Sequence, residues 1–491
     1  MGAPATGERR ACNVAGMRGV GLLGPLAPKL TEPDMNKRAG YTFSRAQFAP
    51  LAASSFAAQI ARDPAAFASK VSTRLTGRPL RLWGSAGEQL PGDFAVPIYK
   101  SDYGGFKGTV LHVLTNSLPH STGGYAIRSH EILKAQAEIG LSPSAITRLG
   151  YPVSVGKMPA GAFELVDAIQ YARVLPSFYP LRFAKQVRLH ADCIAREAEE
   201  RGASVLHTTT PWPNAAATSL AAAKLGIPWV YEVRGEPEAT WAAYQPAESQ
   251  PEQSAYFHAA RAKEEEAMRA AAAVVVLSQT SKEAIQARGV HGRIVVVPNA
   301  IDAGSPAKRI DQEEARHVLK LPQRRYVGAV SSVVEYEGFD TLIRSLHRLP
   351  RDVAVLLVGD GTYLPALKRL AATERLADRV VFAGRQPTTQ IAPWYCALDV
   401  FVSPRVDTPV TRTVTPMKTL QAHAFGIPVV ASDLPALREV TRQKAFYFTP
   451  GDPAALAQAI RMALAAPRKA VPSLPTWADA AGTYSELYAS L

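Results

Sequence analysis

The feature that most constrains this chain is a series of short apolar runs that recur after Gly108. They read "TVLHVLT", "SVLHTTT", "IPWVYEVRG", "AAVVVLS" and "RIVVVPNAID", and later "YVGAVSS", "VAVLLVGDG", "RVVFAGR", "LDVFVSPR" and "IPVVASD". Runs of about four to six Val, Ile and Leu without strict alternation suit strands buried on both faces, as in parallel sheets. Helical segments between them imply right-handed βαβ units. The strands are too many for one sheet, and the pattern breaks near "PNAIDAGSPAKRIDQEEARHVLKLPQRR", between the strand ending at Pro298 and the one starting at Tyr326. The expected fold class is α/β: two doubly wound Rossmann-like domains facing each other across a cleft, with ligands at the carboxyl ends of the strands.

The chain of 491 residues has room for this and for an extension. Residues 1–40 are rich in Gly, Pro and charge and read as a disordered N-terminus. Residues 41–108 read as a helical appendage, interrupted at Pro50 and Pro64, and a Pro/Gly-rich linker. The expected domains are then residues 109–305, residues 306–470, and a C-terminal helix over 471–491. No apolar run reaches the roughly eighteen residues of a spanning helix, and the opening residues lack the apolar core of a signal peptide. Cys12, Cys193 and Cys396 are far apart and match no metal spacing, which points to a reducing, cytoplasmic setting. The net charge of +13 favours an acidic partner, a nucleotide or an anionic membrane surface. Nucleic acid is not expected, because no basic-aromatic stripe or known nucleic-acid motif occurs.

Three stretches carry candidate chemistry. In "LTNSLPHSTGGYAIRSHEIL" a strand ends at Leu114 and Gly123-Gly124 precede a helix, so backbone amides can approach a polar ligand closely. In "WVYEVRGEPEATW" the residues Glu232, Arg234, Glu236 and Glu238 crowd the end of a buried strand; Glu232 and Arg234 can equally form a structural ion pair on one strand face. In "TRTVTPMKTLQAHAFGIPVVASD" a helix is expected to start at Thr415-Pro416 and to place Lys418 in its first turn, where an anion is favoured. His207, at the end of "SVLHTTT", is either a cleft residue or a satisfied core histidine.

From Thr109 to the C-terminus the chain resembles the glycosyltransferase family 4 ("group 1") enzymes of the GT-B fold. The resemblance rests on the order of the Gly-rich loop, "VPNAID", "EGFDTLI", "LVGDG", "VFAGR", "LDVFVSP" and the final "P-x-K" helix with "GIPVV". It implies an N-terminal acceptor domain, a C-terminal nucleotide-sugar domain and a last helix crossing back to the first. It implies retaining, metal-independent transfer from a nucleoside-diphosphate sugar, with no cofactor, to a saccharide or lipid-linked acceptor in polysaccharide or glycoconjugate assembly.

Carried over by position, the resemblance assigns donor binding to Gly123, Gly124, Arg385, Arg412, Thr413, Thr415, Lys418 and Gln421. The residues and the resemblance together point to catalysis by Arg234, Glu232 and Lys418, and the strand-end positions of His207 and Glu238 point to the acceptor side. Two family glutamates are replaced by Thr413, at the sugar contact, and Gln421, at the ribose contact. The second change predicts about tenfold weaker nucleotide binding, since a neutral acceptor contributes less than a charged one. The family's basic pair is replaced by Ser332 and Glu337, so Glu337 must turn away from a diphosphate or be compensated by a cation such as Lys418. Arg234 can stabilise departing charge but cannot act as a base. A same-fold epimerase or phosphorylase, and a catalytically silent sugar-nucleotide-binding subunit, are the rival readings. Peripheral contact with the inner face of the plasma membrane would use the basic balance.

Overall fold

The computed structural model describes residues 48–62, 94–97, 105–245, 249–304, 309–469 and 473–491. The expectation of a disordered segment over residues 1–40 lies outside them, as does Cys12. The chain divides into two compact units. One comprises Met1–Val233, Glu252–Val274 and Ser485–Leu491; the other comprises Arg234–Pro251 and Val275–Tyr484.

Within 41–108 the described part is chiefly the helix Ala49–Arg62. Pro50 opens this helix instead of interrupting it, because a proline in the first turn forgoes only an N–H that has no helical partner. Leu51 is buried beside Phe48 and Val153, and the Ser54 hydroxyl accepts a 2.8 Å bond from the Tyr179 amide. The appendage is therefore docked by both apolar and polar contacts.

The first sheet has eight strands: β1 (Thr109–Leu114), β2 (Ser142–Thr147), β3 (Phe163–Val166), β4 (Ile169–Ala172), β5 (Val205–Thr209), β6 (Trp229–Val233), β7 (Ala273–Val276) and β8 (Ile294–Val296). Their order is β3-β4-β2-β1-β5-β6-β7-β8, with β3 antiparallel to β4. The direction of winding reverses between β1 and β5. Sequence reading found β1 and β5 to β8 but passed over β2, β3 and β4. "SPSAIT" opens with polar residues, only its last four being buried, and the short β3–β4 pair sits at the sheet edge, where strands need no apolar run.

The second sheet has six strands: β9 (Arg325–Val330), β10 (Val353–Val358), β11 (Val380–Gly384), β12 (Val400–Ser403), β13 (Val429–Ser432) and β14 (Phe446–Phe448). All its pairs are parallel, in the order β11-β10-β9-β12-β13-β14. This is the doubly wound dinucleotide-fold order, with its switch point between β9 and β12. All six residues of β10 are buried, as a central strand covered on both faces requires. Only β14, three residues long, escaped sequence reading. One continuous apolar core joins these strands to the helices Phe339–Ser345, Leu364–Thr373 and Pro453–Ala465.

Candidate functional site

The loops leaving the carboxyl ends of β9 and β12 meet at the switch point of the second sheet. Two glycines permit close backbone approaches around it. Gly359, just after β10, has φ +144°, and a Cβ there would lie 1.8 Å from the Ser331 carbonyl oxygen. Gly338 has φ +70°, and its Cβ would lie 1.9 Å from the Pro404 carbonyl oxygen. A side chain at Gly338 would push the β9 and β12 loops apart, and one at Gly359 would push the end of β10 away from the β9 loop. The Val406 amide also donates a 3.0 Å bond to the Tyr336 carbonyl, which fixes the loop carrying Glu337 against the one carrying Arg405.

Three charged side chains converge there. Glu337 Oε1 accepts 3.1 Å bonds from both Arg405 Nη2 and Lys418 Nζ, and Lys418 also donates to the Ser331 hydroxyl. Arg405 Nη1 donates to the Val414 carbonyl at 2.8 Å, and its own carbonyl accepts from Ser432 Oγ at 2.7 Å. Burial alone would push the Glu337 carboxyl up, but the Arg405 and Lys418 charges outweigh it and bring it down to about 2. Burial pulls the Lys418 ammonium down, against the opposing pull of Glu337. Glu337 and Arg405 are buried, whereas the Lys418 side chain keeps 27% of its surface exposed. An ammonium has three donors, and two are engaged here. The cluster thus presents one net positive charge and an ammonium edge to solvent.

The question raised by Glu337 is resolved by compensation: two cations hold the carboxylate. Arg405 was not singled out from the sequence. Its signal was its place directly after "VFVSP", at the end of a switch-point strand, where a ligand is expected. The helix expected from Thr415-Pro416 spans Lys418–Ala424, so Lys418 is its first residue and two turns of backbone follow. Side-chain charge, more than the helix end, makes this site positive.

The other expected donor residues occupy varied settings. Gln421 Oε1 accepts a 2.9 Å bond from the hydroxyl of Tyr395, which is buried and stacked between Phe401 and Phe425. Thr413 ends the short helix Pro409–Thr413, and its hydroxyl donates a 2.7 Å bond to Glu236 Oε1. Arg412 makes a two-pronged ion pair with Asp407 at 2.6 and 2.7 Å on the exposed surface. The Thr415 carbonyl accepts a 3.0 Å bond from Asn299 Nδ2. Arg385 is exposed, just past the end of β11. His423 is buried on the core side of its helix, and burial depresses its imidazole to about 4, which fits packing and not proton transfer.

A cavity of about 310 Å³ opens beside this region, lined by Leu277, Asn299, Thr415, Glu439 and Arg442 among others. Lys418, Glu337 and Arg405 do not line it. Glu439 is already committed, accepting from the Gln279 and Thr280 amides at 2.5 and 2.9 Å to cap the helix Gln279–Ala287.

In the first unit the expected residues His207 and Glu232 belong to a buried network, whereas Arg234 and Glu238 fall in the second unit. The register of β1 and β5 places His112 opposite His207, with their rings stacked 4.7 Å apart. His207 Nδ1 meets the Tyr488 hydroxyl at 2.5 Å and its Nε2 meets Glu232 Oε2 at 3.2 Å. Glu232 Oε1 accepts a 2.7 Å bond from Arg128 Nε. Gln136 joins His112 at 2.9 Å to Tyr488 at 3.2 Å. All six side chains are buried, so His207 is the satisfied core histidine. Arg234, just past β6, is buried too. Glu238 is buried 3.6 Å from Arg288. Gly123 precedes the helix Gly124–Glu138, and both glycines are exposed. Among the described residues, no three His, Cys, Asp or Glu side chains gather closely enough to hold a metal ion.

Two doubly wound Rossmann-like units make this a GT-B fold. It is shared with a sucrose-phosphate synthase from Thermosynechococcus elongatus, 21% identical, with a TM-score of 0.59 over 78% of this chain and 94% of that one. Residues 123–300 match the "Glycosyl transferase 4-like domain" and residues 324–466 the "Glycosyl transferases group 1" family. Together these matches cover well over half of the chain, which belongs to the group 1 glycosyltransferases.

Among curated relatives is a lipopolysaccharide core biosynthesis mannosyltransferase of Rhizobium meliloti. It is 33% identical over 154 residues, 30% of this chain and 42% of that protein. Another is a GDP-mannose-dependent α-(1-6)-phosphatidylinositol monomannoside mannosyltransferase of Mycobacterium tuberculosis, 30% identical over 167 residues, 32% of this chain and 43% of that protein. The chain thus spans less than half the length of these relatives.

Proposed function

We propose that this protein transfers a sugar from a nucleoside-diphosphate donor to a saccharide or lipid-linked acceptor. The observation that carries this is the cluster of Lys418 and Arg405 about Glu337 at the β9/β12 switch point. The two cations exceed the carboxylate by one charge, and Lys418 retains an exposed ammonium edge for a diphosphate. The relatives named for mannosyl transfer, one of them GDP-mannose-dependent, support a nucleotide-sugar donor and an acceptor built on sugar or lipid.

In the proposed reaction the bond between the anomeric carbon and the donor phosphate oxygen breaks as the acceptor hydroxyl attacks from the same side. Configuration is retained, and the acceptor's proton passes to the departing phosphate. Lys418 and Arg405 stabilise the charge that develops on that phosphate, so no metal cofactor is invoked. Arg234 has only donors to offer and is limited to the same role. The net positive charge of the chain supports contact with an anionic membrane bearing the acceptor. No helix among the described residues is long and apolar enough to cross a membrane.

A thermal-shift screen with UDP, GDP, ADP and dTDP sugars and a CMP sugar, followed by donor hydrolysis assays, tests the reading. Stabilisation by a diphosphate sugar together with its turnover is expected. The rival, a silent sugar-nucleotide-binding subunit, is favoured by one observation: the Thr413 hydroxyl and the Gln421 oxygen already have protein partners. Binding without turnover of any donor would establish that rival, and no stabilisation by any of them would overturn both. Co-sedimentation with anionic liposomes at low salt tests the membrane contact; a protein that stays in the supernatant does not make it.

A further inference from the structure

A second charged group is held against the stretch of chain that carries Lys418. Glu236 occupies the N-cap position of the helix Pro237–Ala242 without a side-chain capping bond, and its side chain is 12% exposed. Its Oε1 accepts the 2.7 Å bond from Thr413 Oγ1, and its Oε2 lies 3.5 Å from Arg288 Nη1. The same Arg288 nitrogen lies 3.6 Å from Glu238 Oε1. One guanidinium therefore faces two carboxylates. One residue further along the chain, the Val414 carbonyl holds Arg405, which with Lys418 holds Glu337.

The short segment from Thr413 to Lys418 is thus flanked by an acidic group at its start and a basic group at its end. A nucleoside-diphosphate sugar has the matching polarity, with hydroxyl donors on the sugar adjoining an anionic diphosphate. An ionised carboxylate only accepts, so it is suited to reading hydroxyls and would repel phosphate.

We infer that Glu236, oriented by the Thr413 hydroxyl, is the residue that reads the hydroxyls of the transferred sugar while Lys418 and Arg405 hold the diphosphate. This rests on the donor reading proposed above. It accounts for a threonine at 413, the position to which sequence resemblance assigns a carboxylate: the carboxylate arrives from the loop after β6 instead. It also gives the "RGEPE" stretch a role in the donor site that its sequence neighbourhood, at the end of a strand of the first sheet, does not disclose.

The test uses the full chain and calorimetric titration with UDP, UDP-glucose, GDP and GDP-mannose. For whichever pair the wild type binds, the readout is the affinity for the nucleotide sugar relative to that for its diphosphate. Glu236→Gln should lower this ratio about tenfold while diphosphate affinity stays within about twofold, as loss of a charged acceptor implies. The double variant Glu236→Thr, Thr413→Glu returns the carboxylate to the same place from the other element and should restore most of the ratio. Equal weakening of sugar and diphosphate would make Glu236 a structural support only, and an unchanged ratio would remove it from the site; either overturns the inference. If the wild type binds none of the four ligands, the donor reading itself fails and the inference falls with it, a result distinct from the other two.

Discussion

The two sheets reverse their winding in the same way, yet their switch points are finished differently. At β1/β5 the polar groups are consumed by one another. Arg128, Glu232, His207, Tyr488, Gln136 and His112 form a continuous buried network in which Glu232 pairs with Arg128. At β9/β12 one carboxylate is set against two cations, and the outermost of these is partly exposed. The first arrangement specifies packing, and the second retains capacity for an anion. A switch point alone therefore marks where a ligand can sit, while the charge balance of the loops decides whether one is invited.

Breaking the closed network should have the largest effect. Glu232→Ala removes the carboxylate paired with buried Arg128, and should cost about 3–5 kcal/mol of stability in denaturant titration. Lys418→Ala, which removes a partly exposed partner, should cost less than about 1 kcal/mol. Equal losses would erase the contrast between the two sites.

Next comes Glu337→Gln, which should destabilise the fold on the order of 2–3 kcal/mol at neutral pH. The sign follows from linkage: the folded-state carboxyl lies at about 2, below its unfolded value. Its stabilisation is full above an unfolded pKa of about 4.3 and is lost as pH falls toward 2, so the variant should lack that acid limb. The same change raises the net charge of the cluster. At an effective dielectric of about 20, removing a nearby negative charge outweighs the loss of orientation, so diphosphate binding should tighten at low salt, and less so at high salt. Weaker binding at every salt concentration would show that Glu337 matters more as a support than as a charge.

A smaller effect is confined to mild acid. Burial depresses both His190 and His423 to about 4, and each has its Nε2 buried without a partner. The unfolded chain takes up these protons first, so stability should decline as pH falls from about 6.5 toward 4. His423→Leu should flatten part of that decline with little change at pH 7.5, as thermal melts across the range would show. The smallest effect is expected from Tyr395→Phe. It removes the hydroxyl bond to Gln421 at a cost of about 0.5–1.5 kcal/mol, and circular-dichroism melts would read it.

Much of the architecture was legible because the physics of a doubly covered parallel strand is local. A run such as "VAVLLV" is apolar on both faces and declares itself. Edge strands such as Phe163–Val166 and the three-residue β14 do not, since one side of each is solvent or loop. The site was legible in position but not in partnership. Lys418 was placed from its segment, and Glu337 was recognised as needing a cation. Arg405 could be supplied only by the geometry that brings the β9 and β12 loops together. Likewise, no local signal links Arg128 to Glu232, or Thr413 to Glu236, because those pairs are separated by long stretches of chain and meet only through sheet register and loop packing.

The central claim is that the β9/β12 cluster is a diphosphate site centred on Lys418. The most direct measurement compares the affinities of GDP with GMP, and of UDP with UMP, for the wild type and for Lys418→Ala. The wild type should prefer the diphosphate, and the variant should lose about tenfold or more in diphosphate affinity while monophosphate affinity changes little. A Lys418→Ala protein that keeps full diphosphate affinity would contradict the account.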